Sequence, residues 1–243
     1  MLFRLITAAA VTLLSFVAPA SAGELKVAPK AVLELFTSQG CSSCPKADAM
    51  LAEMSRRPDV VTLAYHVDYW DYIGWEDTFG TKENSDHQRD YAESWGSGRI
   101  FTPQLVVNGK GGLVGGKREA VNVALTGAAL PLAVSLSEAP DDMLKISVDG
   151  KDGLPGAMIW LVTYIDSADV TIERGENEGK QVVYTQIVTG RQVLGMWDPK
   201  TGANLTLPLA EVLTGNANGA AVLVQEDRNG LPGPILGAAS FTR

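Results

Sequence analysis

Cysteine and histidine are scarce in this chain, with two of each in 243 residues. Two cysteines exclude a disulfide-rich scaffold, because they can pair only with each other or act between molecules. Lysine and arginine number 20 against 28 aspartates and glutamates, for a formal net charge of −8, and they form no long run. Nucleic acid is therefore not an expected partner, since its binding needs a basic patch to neutralise phosphates. Beyond the first residues, no segment reaches the roughly 18 uninterrupted apolar residues that suggest a membrane span. Stable membrane insertion of the mature chain is not expected.

The N-terminus itself is informative. Arg4 precedes an apolar run from Leu5 to Val17, and Ala20-Ser21-Ala22 then offers the small residues of a signal-peptidase site. This order predicts a signal peptide over residues 1–22 and a mature start at Gly23. Export, to the periplasm or the extracellular space, would carry both cysteines to a place where a disulfide persists. No cysteine follows the cleavage site, so a lipoprotein is not expected.

Along the mature chain, Ala31 to Phe36 reads as a buried strand, and Thr37-Ser38-Gln39-Gly40 breaks it. Pro45 to Arg57 has helical spacing of Ala49, Met50, Leu51 and Met54, with Pro45 suited to a first turn. Val60 to Val67 reads as a second strand, which with the intervening helix predicts a parallel right-handed unit. A helix is expected over Glu83 to Trp95, strands over Gln104 to Val107 and at Leu113-Val114, and a helix over Lys117 to Leu125. Past Pro131 the texture changes to strands at Leu132–Leu136, Leu144–Val148, Met158–Tyr164, Val170–Glu173, Gln181–Val188, Ala203–Leu207 and Ala221–Gln225. Short strands at such spacing predict an antiparallel, sandwich-like arrangement. The expected division is a signal peptide over 1–22, an α/β domain over 23–130 and a β-rich domain over 131–243.

The chemistry is concentrated in Cys41-Ser42-Ser43-Cys44-Pro45, between a strand and a helix. Cys41 is expected at the helix N-terminus, where free N–H groups and the macrodipole favour thiolate, the attacking species in disulfide exchange. Cys41 is assigned as nucleophile and the more exposed thiol, Cys44 as the resolving thiol, and Ser42 and Ser43 as hydrogen-bonding neighbours. The competing reading is an inert disulfide, although so short a loop gives little chain-entropy stabilisation. Thr102-Pro103 stands just before a strand, where a cis peptide would border the cysteines.

Cys41-Ser42-Ser43-Cys44-Pro45, the later Thr102-Pro103 and the element order resemble the thioredoxin superfamily over Ala31 to Thr126. More narrowly, the run from Glu34 to Pro45, His66-Val67-Asp68-Tyr69-Trp70-Asp71, Thr102-Pro103-Gln104 and Arg174-Gly175-Glu176-Asn177 resemble the exported DUF1223 family. The resemblance implies a thioredoxin-like fold for the N-terminal α/β domain, and with the strand spacing beyond Pro131 the expected fold class is an α/β thioredoxin-like N-terminal domain followed by an all-β, sandwich-like C-terminal domain. The chain differs from the commonest thioredoxin site by carrying Gly40 where a tryptophan precedes the first cysteine.

The expected function is extracytoplasmic thiol–disulfide oxidoreduction on protein thiols or disulfides, with no organic cofactor. His66 is expected to shape the site. Its alternative is a metal site with Cys41 and Cys44, with Asp68 as an oxygen ligand. A third alternative is a thioredoxin-like binding module without exchange chemistry. Trp70, Tyr72, Trp75, Phe79 and Trp95 read as core of the inserted segment or as partial cover of the dithiol. His87 is expected in solvent. Arg174-Gly175-Glu176-Asn177 reads as a turn between strands, with partner binding as its alternative.

Overall fold

The seven residues Ala31–Thr37 and the seven residues Val60–His66 are buried without interruption, as strands covered on both faces must be. The computed structural model describes residues 24–243, so the expected signal peptide and Gly23 lie outside the described residues. A first strand, β1, spans Glu24–Lys26; the pair just named are β2 and β3. Between them runs α1, Pro45–Ser55, whose buried Ala47, Met50, Leu51 and Met54 pack in one cluster with Leu33, Leu35, Val60 and Ala64. Burying Leu51 alone contributes about 1.5–3 kcal/mol. Helix α2 (Lys82–Ser94), strands β4 (Gln104–Val107) and β5 (Gly112–Val114), and helix α3 (Arg118–Thr126) complete the first half. Strands β2 and β3 are parallel in register Ala31↔Val60 to Thr37↔His66, and β4 and β5 follow antiparallel.

The second half contributes β6 (Leu132–Ala139), β7 (Met143–Val148), β8 (Ala157–Thr171), β9 (Gln181–Trp197), β10 (Ala203–Pro208), a short α4 (Leu209–Val212), β11 (Gly219–Arg228) and β12 (Leu231–Thr242). These strands do not form a sandwich beside a separate α/β domain. One mixed sheet of twelve strands runs β10-β7-β6-β12-β11-β8-β9-β3-β2-β4-β5, with β1 paired to β12. This corrects the expected fold class of a thioredoxin-like α/β domain followed by an all-β sandwich. The join is β9 against β3, bridged in parallel at Ala64↔Ile187. It is sealed by a core cluster drawing Phe36, Leu63 and Tyr65 from one half and Val162, Tyr164, Leu223 and Ile235 from the other. On the far side the sheet curls, so that Ile146 of β7 and Ile159 of β8 share a core though their strands are not neighbours.

Two departures from the expected strands account for the correction. Met158–Tyr164 and the first two residues of Val170–Glu173 belong to one strand, because polar Asp166 between them is held by the side chains of Asn218 and Gln186 (2.7 and 2.5 Å). Strand β12 carries Pro232, Gly233, Pro234 and Gly237, which read as turn residues. Its irregular pairing with β11, shifted on both sides of Gln225, accommodates the missing proline donors. Gly237 is required there, since a Cβ would lie 2.9 Å from Leu132.

The candidate site lies at the C-terminal ends of β2 and β3. The turn before α1, the loop leading to α2 and the tip of the β8–β9 hairpin converge there.

Candidate functional site

Cys41 and Cys44 form a disulfide, with their Cα atoms 5.4 Å apart. Helix α1 starts at Pro45 with Cys44 as its N-cap, so Cys41 lies one turn before the helix rather than on its first residue. The Cys44 N–H donates to the Cys41 carbonyl at 3.1 Å, and the Cys44 carbonyl accepts from Ala47 and Asp48. Neither sulfur-bearing residue is open to solvent: Cys41 is 1% exposed and Cys44 fully buried. The expectation that Cys41 is the more exposed thiol is therefore corrected for the oxidised protein. Ser42 and Ser43 are exposed, and the Ser43 hydroxyl donates to Cys41 Sγ at 3.4 Å.

The loop before the cysteines is held by its polar groups. The Gln39 N–H donates to Asp77 Oδ2 at 2.7 Å, and Gln39 Oε1 accepts from Trp75 Nε1 at 2.8 Å. Gln39 Nε2 donates to Thr78 Oγ1 at 2.9 Å. Gly40 has to be small, because a Cβ would meet Trp70 at 3.1 Å and Ile73 at 3.3 Å. Trp70 in turn donates from Nε1 to Thr102 Oγ1 at 2.7 Å, and the Thr102–Pro103 peptide is cis. Trp70 thus joins the residue before Cys41 to the strand-start wall formed by Thr102 and Pro103. Of the other aromatics, Phe79 packs edge-on to His66, Trp95 stacks on Tyr91 away from the cysteines, and Tyr72 is 82% exposed.

His66 ends β3 and has no solvent exposure. Its Nδ1 donates to Asp77 Oδ2 at 2.8 Å, while its Nε2 has no hydrogen-bond partner. Burial works against the charged imidazole, but Asp77, followed by Asp48, outweighs it and raises the His66 pKa. Asp48 lies on α1 one turn beyond Cys44. Its Oδ1 accepts from Thr37 Oγ1 at 2.7 Å, and its Oδ2 is unpartnered. Burial pushes the Asp48 carboxyl up to about 7, against the pull of His66 and Thr37. Tyr184 of β9 closes the cluster, with its ring centroid 4.9 Å from that of His66.

The alternative metal set is not assembled. Both sulfurs are in the disulfide, His66 Nδ1 is taken by Asp77, and Asp68 Oδ1 accepts from Ser85 Oγ. Among the described residues, no three histidine, cysteine or acidic side chains are placed to hold a metal ion. His87, expected in solvent, is buried instead, because Glu34 of β2 is buried beneath it. Its Nε2 donates to Glu34 Oε1 at 3.3 Å, Tyr91 Oη donates to Glu34 Oε2, and Gln225 of β11 donates to Tyr91 Oη at 2.7 Å. That network belongs to the join between the halves and not to the dithiol.

Residues 32–225 match the family described as Protein of unknown function (DUF1223). The chain belongs to the DUF1223 family. It is also similar to a solved structure, the X-ray crystal structure of protein AGR_C_4864 from Agrobacterium tumefaciens. The two chains are 34% identical, with 88% of this chain and 95% of that one covered and a TM-score of 0.79. No curated protein matches the chain. For this DUF1223 member, sequence reasoning found Cys41, Cys44, His66 and Pro103 but gave no role to Asp48, Asp77 or Gln39. Asp48 had one usable signal: it stands four residues after Cys44, on the face of α1 that carries the apolar stripe. Asp77 had none, because the loop between β3 and α2 has no periodicity.

Proposed function

We propose that this DUF1223 protein is a thiol–disulfide oxidoreductase acting on protein thiols or disulfides. The carrying observation is a Cys41–Cys44 disulfide at the start of α1, with a buried carboxyl that titrates near neutrality one turn further along the same helix. The resemblance at Cys41 to Pro45 supports this chemistry, while the architecture departs from it. In the reduced protein, the Cys41 thiolate attacks a partner disulfide, forming a mixed disulfide and releasing one partner sulfur as a thiolate. Cys44 then gives up its proton and attacks Cys41 Sγ. The second partner sulfur leaves, and two electrons have passed to the partner. We assign Asp48, one turn beyond Cys44 on α1, to receive the Cys44 proton, with burial raising its pKa and His66, held by Asp77, opposing that rise. Run backwards, the same steps oxidise a partner dithiol.

The apolar run and small-residue site in residues 1–22 support export, and no helix among the described residues is long and apolar enough to cross a membrane. The reading therefore places the activity outside the cytoplasm, in the periplasm or beyond. Its test is direct. The purified oxidised and reduced forms are offered a protein dithiol and a protein disulfide, respectively, beside a variant carrying Cys41→Ser and Cys44→Ser. Exchange well above that variant is expected in at least one direction. No exchange in either direction overturns the reading.

A further inference from the structure

The buried disulfide's turn is held by a part of the chain remote from it in sequence. The tip of the β8–β9 hairpin, residues 172–180, carries exposed Glu173, Arg174, Glu176 and Glu178, but turns one polar side chain inward. Asn177 is 1% exposed. Its Nδ2 donates to the carbonyl of Gln39 at 2.8 Å and to the carbonyl of Cys41 at 2.9 Å. Its Oδ1 accepts from Lys180 Nζ at 2.7 Å, which fixes the amide in this orientation. Gly175 brings the same tip against the loop before α2, where an added Cβ would lie 3.3 Å from Trp75 Cβ.

These contacts are local and few. Within the tip, backbone bonds such as Gly179 N–H to Ile172 O at 2.8 Å make a self-contained turn. Ile172 anchors the base of the tip with no solvent exposure, whereas Glu173, Arg174, Glu176 and Glu178 around Asn177 are exposed and add no apolar burial there. A tip of this kind opens at a lower free energy than the sheet behind it.

We infer that the hairpin tip is a gate over the Cys41–Cys44 disulfide and that Asn177 is its latch. The inference rests on the proposed oxidoreductase reading and adds its regulation: a partner reaches the sulfurs only when Asn177 releases the Gln39 and Cys41 carbonyls. A tip that lifts leaves both carbonyls to solvent and uncovers the side of the turn that carries Cys41. An immobile tip leaves the disulfide inert to partner and reagent alike.

The test measures reduction of the oxidised full chain by dithiothreitol, whose two thiols become a cyclic disulfide as Cys41 and Cys44 become thiols. Alkylation and mass spectrometry follow the new thiols. Asn177→Ala and Asn177→Asp are expected to be reduced about tenfold faster than wild type, as loss of one or two ordinary hydrogen bonds allows. Lys180→Ala should give a smaller increase and Glu178→Ala none. Near-UV circular dichroism checks that each variant is folded, and Lys180→Ala decides the matter if Asn177→Ala is not. Wild-type reduction rates in folded latch variants overturn the gate. Protein exchange is assayed in parallel: faster dithiothreitol reduction without exchange overturns the oxidoreductase reading and keeps the gate, whereas exchange with unchanged reduction rates does the reverse.

Discussion

His66 and Asp77 form an ion pair of 2.8 Å in which neither side chain has any solvent exposure. Asp77 also accepts the N–H groups of Gln39 and Phe79, so one carboxylate orders both the loop before Cys41 and the histidine behind it. Asp77→Ala strands a buried imidazole and two N–H groups, and should cost about 3–5 kcal/mol of stability in denaturant titration. In Asp77→Asn, which keeps an acceptor, the imidazole pKa should fall relative to wild type, as followed by the His66 ring proton in NMR.

Asp48 gives the protein a pH dependence of known sign. Its folded pKa of about 7 lies above the ordinary 3.8, so the folded state holds this proton more tightly than the unfolded chain. The associated stability is fully present below about pH 4 and is lost as pH rises through about 7. Asp48→Asn keeps the acceptor for Thr37 and removes the titration. Relative to wild type it should gain stability between pH 5 and pH 8, by on the order of 2–4 kcal/mol at the upper end. Thermal unfolding of the two proteins across that range checks the slope.

The two halves should not fold apart. A chain ending at Leu130 lacks β8, β9, β11 and β12, which leaves the β3 edge unpaired and uncovers Phe36, Leu63 and Tyr65. Its Glu34–Tyr91 pair also loses Gln225. Such a fragment is expected to bind a hydrophobic dye and to unfold without a cooperative transition. The full chain should show one transition by both tryptophan fluorescence and circular dichroism.

The first half was largely legible because its elements carry local signals: turn residues before Cys41, Pro45 at a helix start, and helical spacing through Met54. The second half was legible as strands but not as a fold. Whether strands at that spacing form a sandwich or extend an existing sheet is decided by pairings such as Ala64↔Ile187, which no local pattern encodes. Strand β12 was hidden by its prolines and glycines, which fit only because β11 is irregular opposite them. At the site, Cys41 and Cys44 announce themselves by spacing. Asp77 and Asn177 act through loop contacts to residues 11 to 138 positions away, and the sequence around each reads as ordinary turn.

The division of labour between the sulfurs is open to a trapping experiment. Cys44 caps α1, is fully buried and stands three residues from Cys41, so within the protein it is the sulfur that can release a partner joined to Cys41. Cys44→Ser, expressed with its N-terminal segment in a disulfide-forming compartment, should accumulate reducible covalent adducts through Cys41, and Cys41→Ser should accumulate few. Non-reducing gels and mass spectrometry compare them. Equal adducts through either cysteine would reverse or remove the assignment.

Strand β12 lies in the interior of the sheet, between β6 and β11, yet in sequence it comes after every other strand described, and β1 pairs with it at Lys26↔Ser240. Until residues 231–242 have been made, β6 and β11 have nothing between them and β1 has no partner. A nascent chain therefore cannot complete this sheet before β12 has emerged, and β1 and β12, far apart in sequence, become ordered together in a single late event.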